Sequence, residues 1–135
     1  MTEKLDQITE ESIKQLVDNF YIKVRQDTEL APVFNRAIGH SDEEWQPHLE
    51  KLYAFWSSVM LISRRYHGNP IKKHADLPPF DVALFNRWLE LFAETAYELH
   101  TADIAIRYQV KSQNIARNLR LVVMSSLRGA DKSIM

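Results

Sequence analysis

Thr9-Glu10-Glu11-Ser12-Ile13-Lys14-Gln15-Leu16-Val17-Asp18-Asn19-Phe20-Tyr21-Ile22-Lys23-Val24 is the stretch that decides the fold class. Its apolar residues Ile13, Leu16, Val17, Phe20, Tyr21 and Val24 fall at i, i+3, i+4, i+7, i+8 and i+11, one stripe of an α-helix. Thr9 stands where an N-cap belongs, and Glu10 and Glu11 complement the positive end of the helix dipole. Tyr21 lies on the buried stripe, so its hydroxyl needs a partner inside the protein.

The same spacing recurs downstream. A short helical piece is expected over 30–35, with Val33 and Phe34 facing inward, and Gly39 closes it. Ser41-Asp42-Glu43-Glu44 matches a capping box at the next helix. Pro47 has no backbone N–H to give, which favours a restart with Pro47 near the first position of a second helix. Leu49, Leu52, Tyr53, Trp56, Val59 and Met60 form the inward stripe of that helix, and His48 lies one turn before Leu52 on its inner edge. Asp81 can cap a further helix with the stripe Phe85, Trp88, Leu89, Phe92, Ala96 and Leu99. Thr101 begins a last long helix through Ile104, Tyr108, Ile115, Leu119, Val122 and Val123.

The chain has 135 residues and only three glycines, which suits one all-α domain around a single core. Residues 1–8 and 129–135 are expected to be flexible ends. A formal charge of -1 and a pI near 6.5 argue against nucleic acid as a partner. The chain contains no cysteine. That excludes disulfides, iron–sulfur clusters, thiol catalysis and covalent cofactor attachment through C-x-x-C-H, and it fits a reducing cytosol. The polar N-terminus lacks the apolar core of a signal peptide, and no apolar run approaches the roughly 20 residues that span a bilayer. A cytoplasmic location away from membranes is the expectation.

From Arg64 to Phe80 the helical pattern fails. A loop of that length inside a small domain is usually functional. His74 sits near its middle, in Ile71-Lys72-Lys73-His74-Ala75-Asp76-Leu77-Pro78-Pro79-Phe80, between aromatic-rich helices. A neutral imidazole there suits axial ligation of a metal centre, although most loop histidines are simply solvated. Its company is Tyr21, His48 and Trp88, polar-tipped rings on or beside the apolar stripes of different helices. As single residues, Tyr21 and Trp88 also read as core filler, and Arg64, Arg65, Lys72 and Lys73 as a solvated basic loop. His40, His67 and His100 read as surface or loop residues. No H-E-x-x-H and no i, i+4 histidine pair on one helix favours a zinc site. G-x-x-x-x-G-K-[ST], G-x-G-x-x-G and G-x-S-x-G are absent as well.

Five blocks carry a family resemblance. They are Phe20-Tyr21-Ile22-Lys23-Val24-Arg25, Pro32-Val33-Phe34-Asn35-Arg36-Ala37-Ile38-Gly39, Ser41-Asp42-Glu43-Glu44-Trp45, the Pro70 to Phe80 run ending in Leu77-Pro78-Pro79-Phe80, and Arg87-Trp88-Leu89-Glu90-Leu91-Phe92. With these in order from Ile8 to Leu127, the chain resembles the group III truncated haemoglobins. The Gly-Gly pairs of the other truncated groups are absent, as that assignment expects, and Pro47 directly before His48 departs from the pattern.

The resemblance implies a shortened globin fold, with helices stacked two-over-two around non-covalent haem b. It implies His74 as the proximal iron ligand, and Tyr21, Trp88 and His48 as the distal residues that act on the ligand. Cofactor contacts are implied from Phe34, Leu52 and Leu77, with Arg64, Lys72 and Lys73 among the cations available to the propionates. O2, NO, CO or peroxide would be the small ligands, and a separate reductase the electron donor. Several hydrogen-bond donors in a dry pocket slow O2 release, so NO dioxygenation or peroxidase-like chemistry is favoured over bulk oxygen carriage. The competing role is a non-catalytic O2 or NO sensor or store acting with a separate partner.

Overall fold

The computed structural model describes residues 3–70 and 81–134, with side chains described as far as residue 124. Among the described residues the helices are α1 (Glu10–Gln26), α2 (Ala31–Ile38), α3 (Asp42–Leu61), α4 (Leu84–Leu99) and α5 (Ala102–Ile134). α1 packs on α3 and on α4, and α4 packs along α5. The pairs α1/α3 and α4/α5 therefore form two layers, the two-over-two arrangement expected of the chain.

α1 forms as its sequence dictates. Thr9 is extended and its Oγ1 accepts the Ser12 N–H at 3.0 Å. Ile13, Leu16, Val17, Phe20, Tyr21 and Val24 are all buried. At the other end Asp27 organises the corner. Its Oδ2 accepts the backbone N–H groups of Glu29 (3.1 Å) and Leu30 (2.9 Å), and its Oδ1 accepts Arg87 Nε at 2.9 Å. One carboxylate thus fixes the turn into α2 and the register of α4 beside α1.

Gly39 ends α2 with φ +129°, a conformation L side chains rarely adopt, and a Cβ there would meet Glu44 Oε2 at 1.8 Å. Glu44 occupies that space because the Ser41 capping box holds it. Ser41 Oγ accepts Glu44 N–H at 3.1 Å and donates to Glu44 Oε1 at 3.0 Å.

The expected restart at Pro47 does not occur. α3 runs unbroken from Asp42 to Leu61 with Pro47 inside it. Pro47 and the i−4 residue Glu43, whose carbonyl loses its helical donor, are both exposed, so water can satisfy that carbonyl. Continuity places Trp45, fully buried, on the same face as Leu49, Leu52 and Trp56. α3 then stops through the left-handed residue Ile62 (φ 56°), and Arg64 is also left-handed (φ 61°). This segment is pinned by Ser57 Oγ, which donates to Glu10 Oε1 at 2.5 Å and lies 2.6 Å from Ser63 Oγ, and by the Arg65–Glu10 ion pair. Asp81 accepts the Ala83 N–H at 2.9 Å, shaping the turn before α4 rather than capping the helix itself.

The segment before α1 is not free, contrary to expectation. Leu5 N–H donates to Leu99 O and Thr101 N–H donates to Leu5 O, each at 2.9 Å, bridging Leu5 to His100. Lys4 Nζ adds a bond to Tyr97 O at 2.8 Å. At the opposite end α5 continues as helix past Gly129 to Ile134. His100, expected at the surface, is fully buried at the α4–α5 corner. The physical reason is tertiary: α1 brings Ser12 against it, 2.5 Å from Oγ to Nε2. No helix among the described residues is long and apolar enough to cross a membrane.

Candidate haem pocket

Tyr21 from α1, Phe34 from α2, Trp45 and His48 from α3 and Trp88 from α4 converge on one end of the core. The Tyr21 ring meets Phe34 edge-on at 5.8 Å between centroids and His48 edge-on at 6.3 Å. Trp45 stacks on Phe34 at 6.2 Å and meets His48 edge-on at 5.7 Å. Behind it the Trp45 indole N–H donates to Gly39 O at 3.0 Å, and the Arg25 guanidinium lies 5.0 Å from the ring. Trp45 is therefore a fixed backstop for His48 and Phe34. Its role was legible in the i, i+4, i+7, i+11 row 45–49–52–56, had the helix been read through Pro47.

Tyr21 is 5% exposed. Burial pushes its phenol well above the usual value, and the neighbouring Trp88 indole N–H pulls partly the other way. An indole N–H can only donate, so toward Trp88 the Tyr21 oxygen can act only as acceptor. The phenol stays protonated across the physiological range and is a permanent donor. Phe20 holds both rings from behind, edge-on to Tyr21 at 4.7 Å and to Trp88 at 5.3 Å.

The walls suit a flat apolar group. Phe34, Leu49, Leu52, Phe55, Val59 and Trp88 pack against the main core yet keep part of their surface uncovered. Apolar faces on three helices with donors at one end match the chemistry of a porphyrin carrying a polar ligand. Of the residues expected at this site, Tyr21 meets Phe34 and His48 directly, Trp88 joins them through Phe20, and Leu52 lies one turn beyond His48 on α3. Arg64 is exposed on the segment after α3, and its neighbour Arg65 is committed to Glu10. His74, Lys72, Lys73 and Leu77 lie outside the described residues. Among the described residues no group of three or more His, Cys, Asp or Glu side chains is placed to hold a metal ion.

The Bacterial-like globin family matches the chain over residues 5–120. A group 3 truncated haemoglobin of Campylobacter jejuni is 42% identical over 117 residues, which is 87% of this chain and 92% of that protein. The chain belongs to the group III truncated haemoglobins. The crystal structure of the group III truncated haemoglobin from Campylobacter jejuni superposes with a TM-score of 0.86 at 40% identity, covering 90% of this chain and 95% of that one. As a truncated haemoglobin the protein carries a haem cofactor and binds small diatomic ligands such as O2.

Residues that sequence reasoning missed support this site from a distance. Asp27 and Arg87 set where Trp88 stands, because Arg87 is its immediate neighbour on α4. Ser12 could have been found, since 12, 16 and 20 form an i, i+4, i+8 row on the buried face of α1. Asp27 had no such signal. Burial raises its carboxyl pKa, but the Leu30 N–H, Arg87 and the Glu29 N–H together bring it below the ordinary value. Its main ion-pair partner is 60 residues away.

Proposed function

We propose that the protein holds haem b through His74 and uses Tyr21, Trp88 and His48 to retain O2 for reaction with NO or to turn over peroxide, rather than to carry oxygen in bulk. The observation that carries this reading is the convergence of the polar-tipped rings Tyr21, His48 and Trp88 at one end of the core, His48 edge-on to Tyr21 at 6.3 Å and Phe20 edge-on to both Tyr21 and Trp88. Haem held here by His74 would supply a ferrous iron for O2 to bind.

The protein's part is to meet the ligand with donors. Tyr21, kept protonated by its burial, would offer its hydroxyl hydrogen to the ligand, and the Trp88 indole beside it, which favours negative charge on the phenol oxygen, would strengthen it as a donor. Such a bond contributes on the order of 1 kcal/mol net, about fivefold in a dissociation rate. Slow release makes a poor carrier and a good reactant. His48 stands at the start of the uncovered face, where it is suited to gate entry. Phe34 and Leu52 offer apolar contact to the ring plane, with Leu77 as a further contact, and Arg64, Lys72 and Lys73 are the cations offered to the propionates. A separate reductase would be the electron donor, and the lack of cysteine fits work in the cytoplasm.

The test is the absorption spectrum of haem-loaded protein beside His74→Ala, followed by NO and peroxide consumption. A histidine-ligated ferrous-oxy spectrum lost in the variant, with turnover of either substrate, supports the reading. An unchanged spectrum in His74→Ala removes His74 as ligand. Fast O2 release with no turnover removes the chemistry.

A further inference from the structure

Behind the pocket, aromatic rings form a continuous file in which the oxidisable Trp88, Trp56 and Tyr108 are bridged by Phe92. Trp88 stacks on Phe92 with centroids 5.3 Å apart and planes inclined by 8°. Phe92 stacks on Trp56 at 4.9 Å and 19°, and Trp56 meets Tyr108 edge-on at 6.3 Å. Phe92 and Tyr108 are wholly buried and Trp56 is 3% exposed, so the file runs through dry core. Electron tunnelling falls steeply with the gap to be crossed, so steps between touching rings carry charge farther than one jump.

The far end is built for a proton. His100 Nδ1 lies 3.2 Å from Ala96 O, and a carbonyl only accepts, so the imidazole hydrogen sits on Nδ1. Nε2 is then an acceptor, and the Ser12 hydroxyl donates to it at 2.5 Å. With the Ser12 hydrogen used, Tyr108 must donate to Ser12 Oγ at 3.0 Å. The bonds point one way, from Tyr108 through Ser12 to a neutral imidazole.

We propose that Trp88, Trp56 and Tyr108 form a path by which an oxidising equivalent leaves the haem pocket, with Tyr108 as its terminus and Ser12–His100 as the acceptor of its proton. The proposal rests on the peroxide branch of the function above. In the step, Tyr108 loses one electron through Trp56 and Trp88 toward the pocket. Its hydroxyl proton passes to Ser12 Oγ as the Ser12 proton passes to His100 Nε2, leaving a neutral phenoxyl radical and an imidazolium. The oxidant is hydrogen peroxide, which takes two electrons and two solvent protons to become two waters. One electron comes from Tyr108, the other from the haem. The electrostatics agree. Burial pushes the Tyr108 phenol up to about 12, so it keeps its proton until it is oxidised. Burial also holds His100 below its ordinary value, against the pull of the Ala96 carbonyl, so Nε2 stays unprotonated and accepts from Ser12. The effect is to draw oxidation away from Tyr21, the phenol that the pocket needs intact.

The test uses the full haem-loaded chain, mixed with hydrogen peroxide, freeze-quenched and read by electron paramagnetic resonance. Peroxide loss is followed optically in parallel. Wild type is expected to show a tyrosyl radical, and Tyr108→Phe to lose it in favour of a tryptophanyl signal. Ser12→Ala keeps every ring of the file and is expected to lower the tyrosyl yield several-fold, as is Trp56→Phe, so these two decide the matter if Tyr108→Phe folds poorly. A tyrosyl signal undiminished in Tyr108→Phe, or in both other variants, while peroxide is consumed, overturns the path and leaves the proposed function standing. No peroxide consumption by wild type overturns the path together with the peroxide branch of the function, leaving the NO branch to its own test, and the optical trace tells that failure from the first.

Discussion

Tyr21 and Tyr108 are both buried phenols beside a histidine, yet the structure treats them in opposite ways. At Tyr108 the polar atoms are accounted for within the protein: the hydroxyl meets Ser12, Ser12 meets His100, and His100 meets the Ala96 carbonyl. At Tyr21 the neighbouring polar group is the Trp88 indole N–H, which can only donate, and the walls beside it remain part-exposed. A closed polar network rigidifies a core, and an open one recognises a ligand. The chemistry of the side chains is nearly the same; the partners around the two hydroxyls separate the two ends.

The largest expected effect falls on the residue that joins them. Phe92 touches Trp88, Trp56 and Phe20. Phe92→Ala should lower stability by about 3–5 kcal/mol and disturb both ends at once. Denaturant unfolding of the haem-free chain measures the loss, and a change confined to one end would mean that the ends are not coupled through this ring.

Ser12→Ala comes next. It leaves the buried His100 Nε2 and the Tyr108 hydroxyl without their shared partner, at a cost of about 1–3 kcal/mol. O2 dissociation should not change. A faster O2 off-rate in this variant would blur the distinction between the closed and the open end.

Tyr21→Phe should show the reverse pattern, with O2 dissociation about fivefold faster for about 1 kcal/mol of lost hydrogen bonding and little change in unfolding. Trp88→Phe should move the rate the same way, because it removes the indole N–H beside the Tyr21 oxygen. Stopped-flow O2 displacement reads both, and two unchanged rates would end the distal assignment.

The smallest effect is one of pH. The folded pKa of His100 is depressed below its ordinary 6.5, chiefly by burial. Its contribution is therefore fully present above 6.5 and is lost as pH falls toward the folded value, because the unfolded chain binds the proton first. Unfolding free energy measured across that window should decline in wild type and be flatter in His100→Gln. Equal slopes in the two proteins would show that His100 is not held neutral.

Much of this was open to reading along the chain. The stripes of α1, α4 and α5 are local periodicities, and Thr9 and the Ser41–Glu44 box cap their helices within three residues. Tyr21 and Trp88 could be named because an inward-facing polar ring always needs a partner. Where reading failed, distance was the cause. His100 follows a helix end and looks like loop; only Ser12, 88 residues earlier, makes it core. Pro47 looked like a boundary because the ladder rule is local, whereas the wide exposure around Glu43 and the burial of Trp45 decide in favour of one helix.

The sequence by itself determined the helices, their inward faces, the family and the polar rings that could serve a haem pocket, since all of these depend on spacing and residue type. Only the tertiary structure decided which polar ring is closed off and which stands beside part-exposed walls. That is settled by contacts between residues far apart in the chain, such as Ser12 with His100 and Asp27 with Arg87, whose energies do not exist until the helices pack.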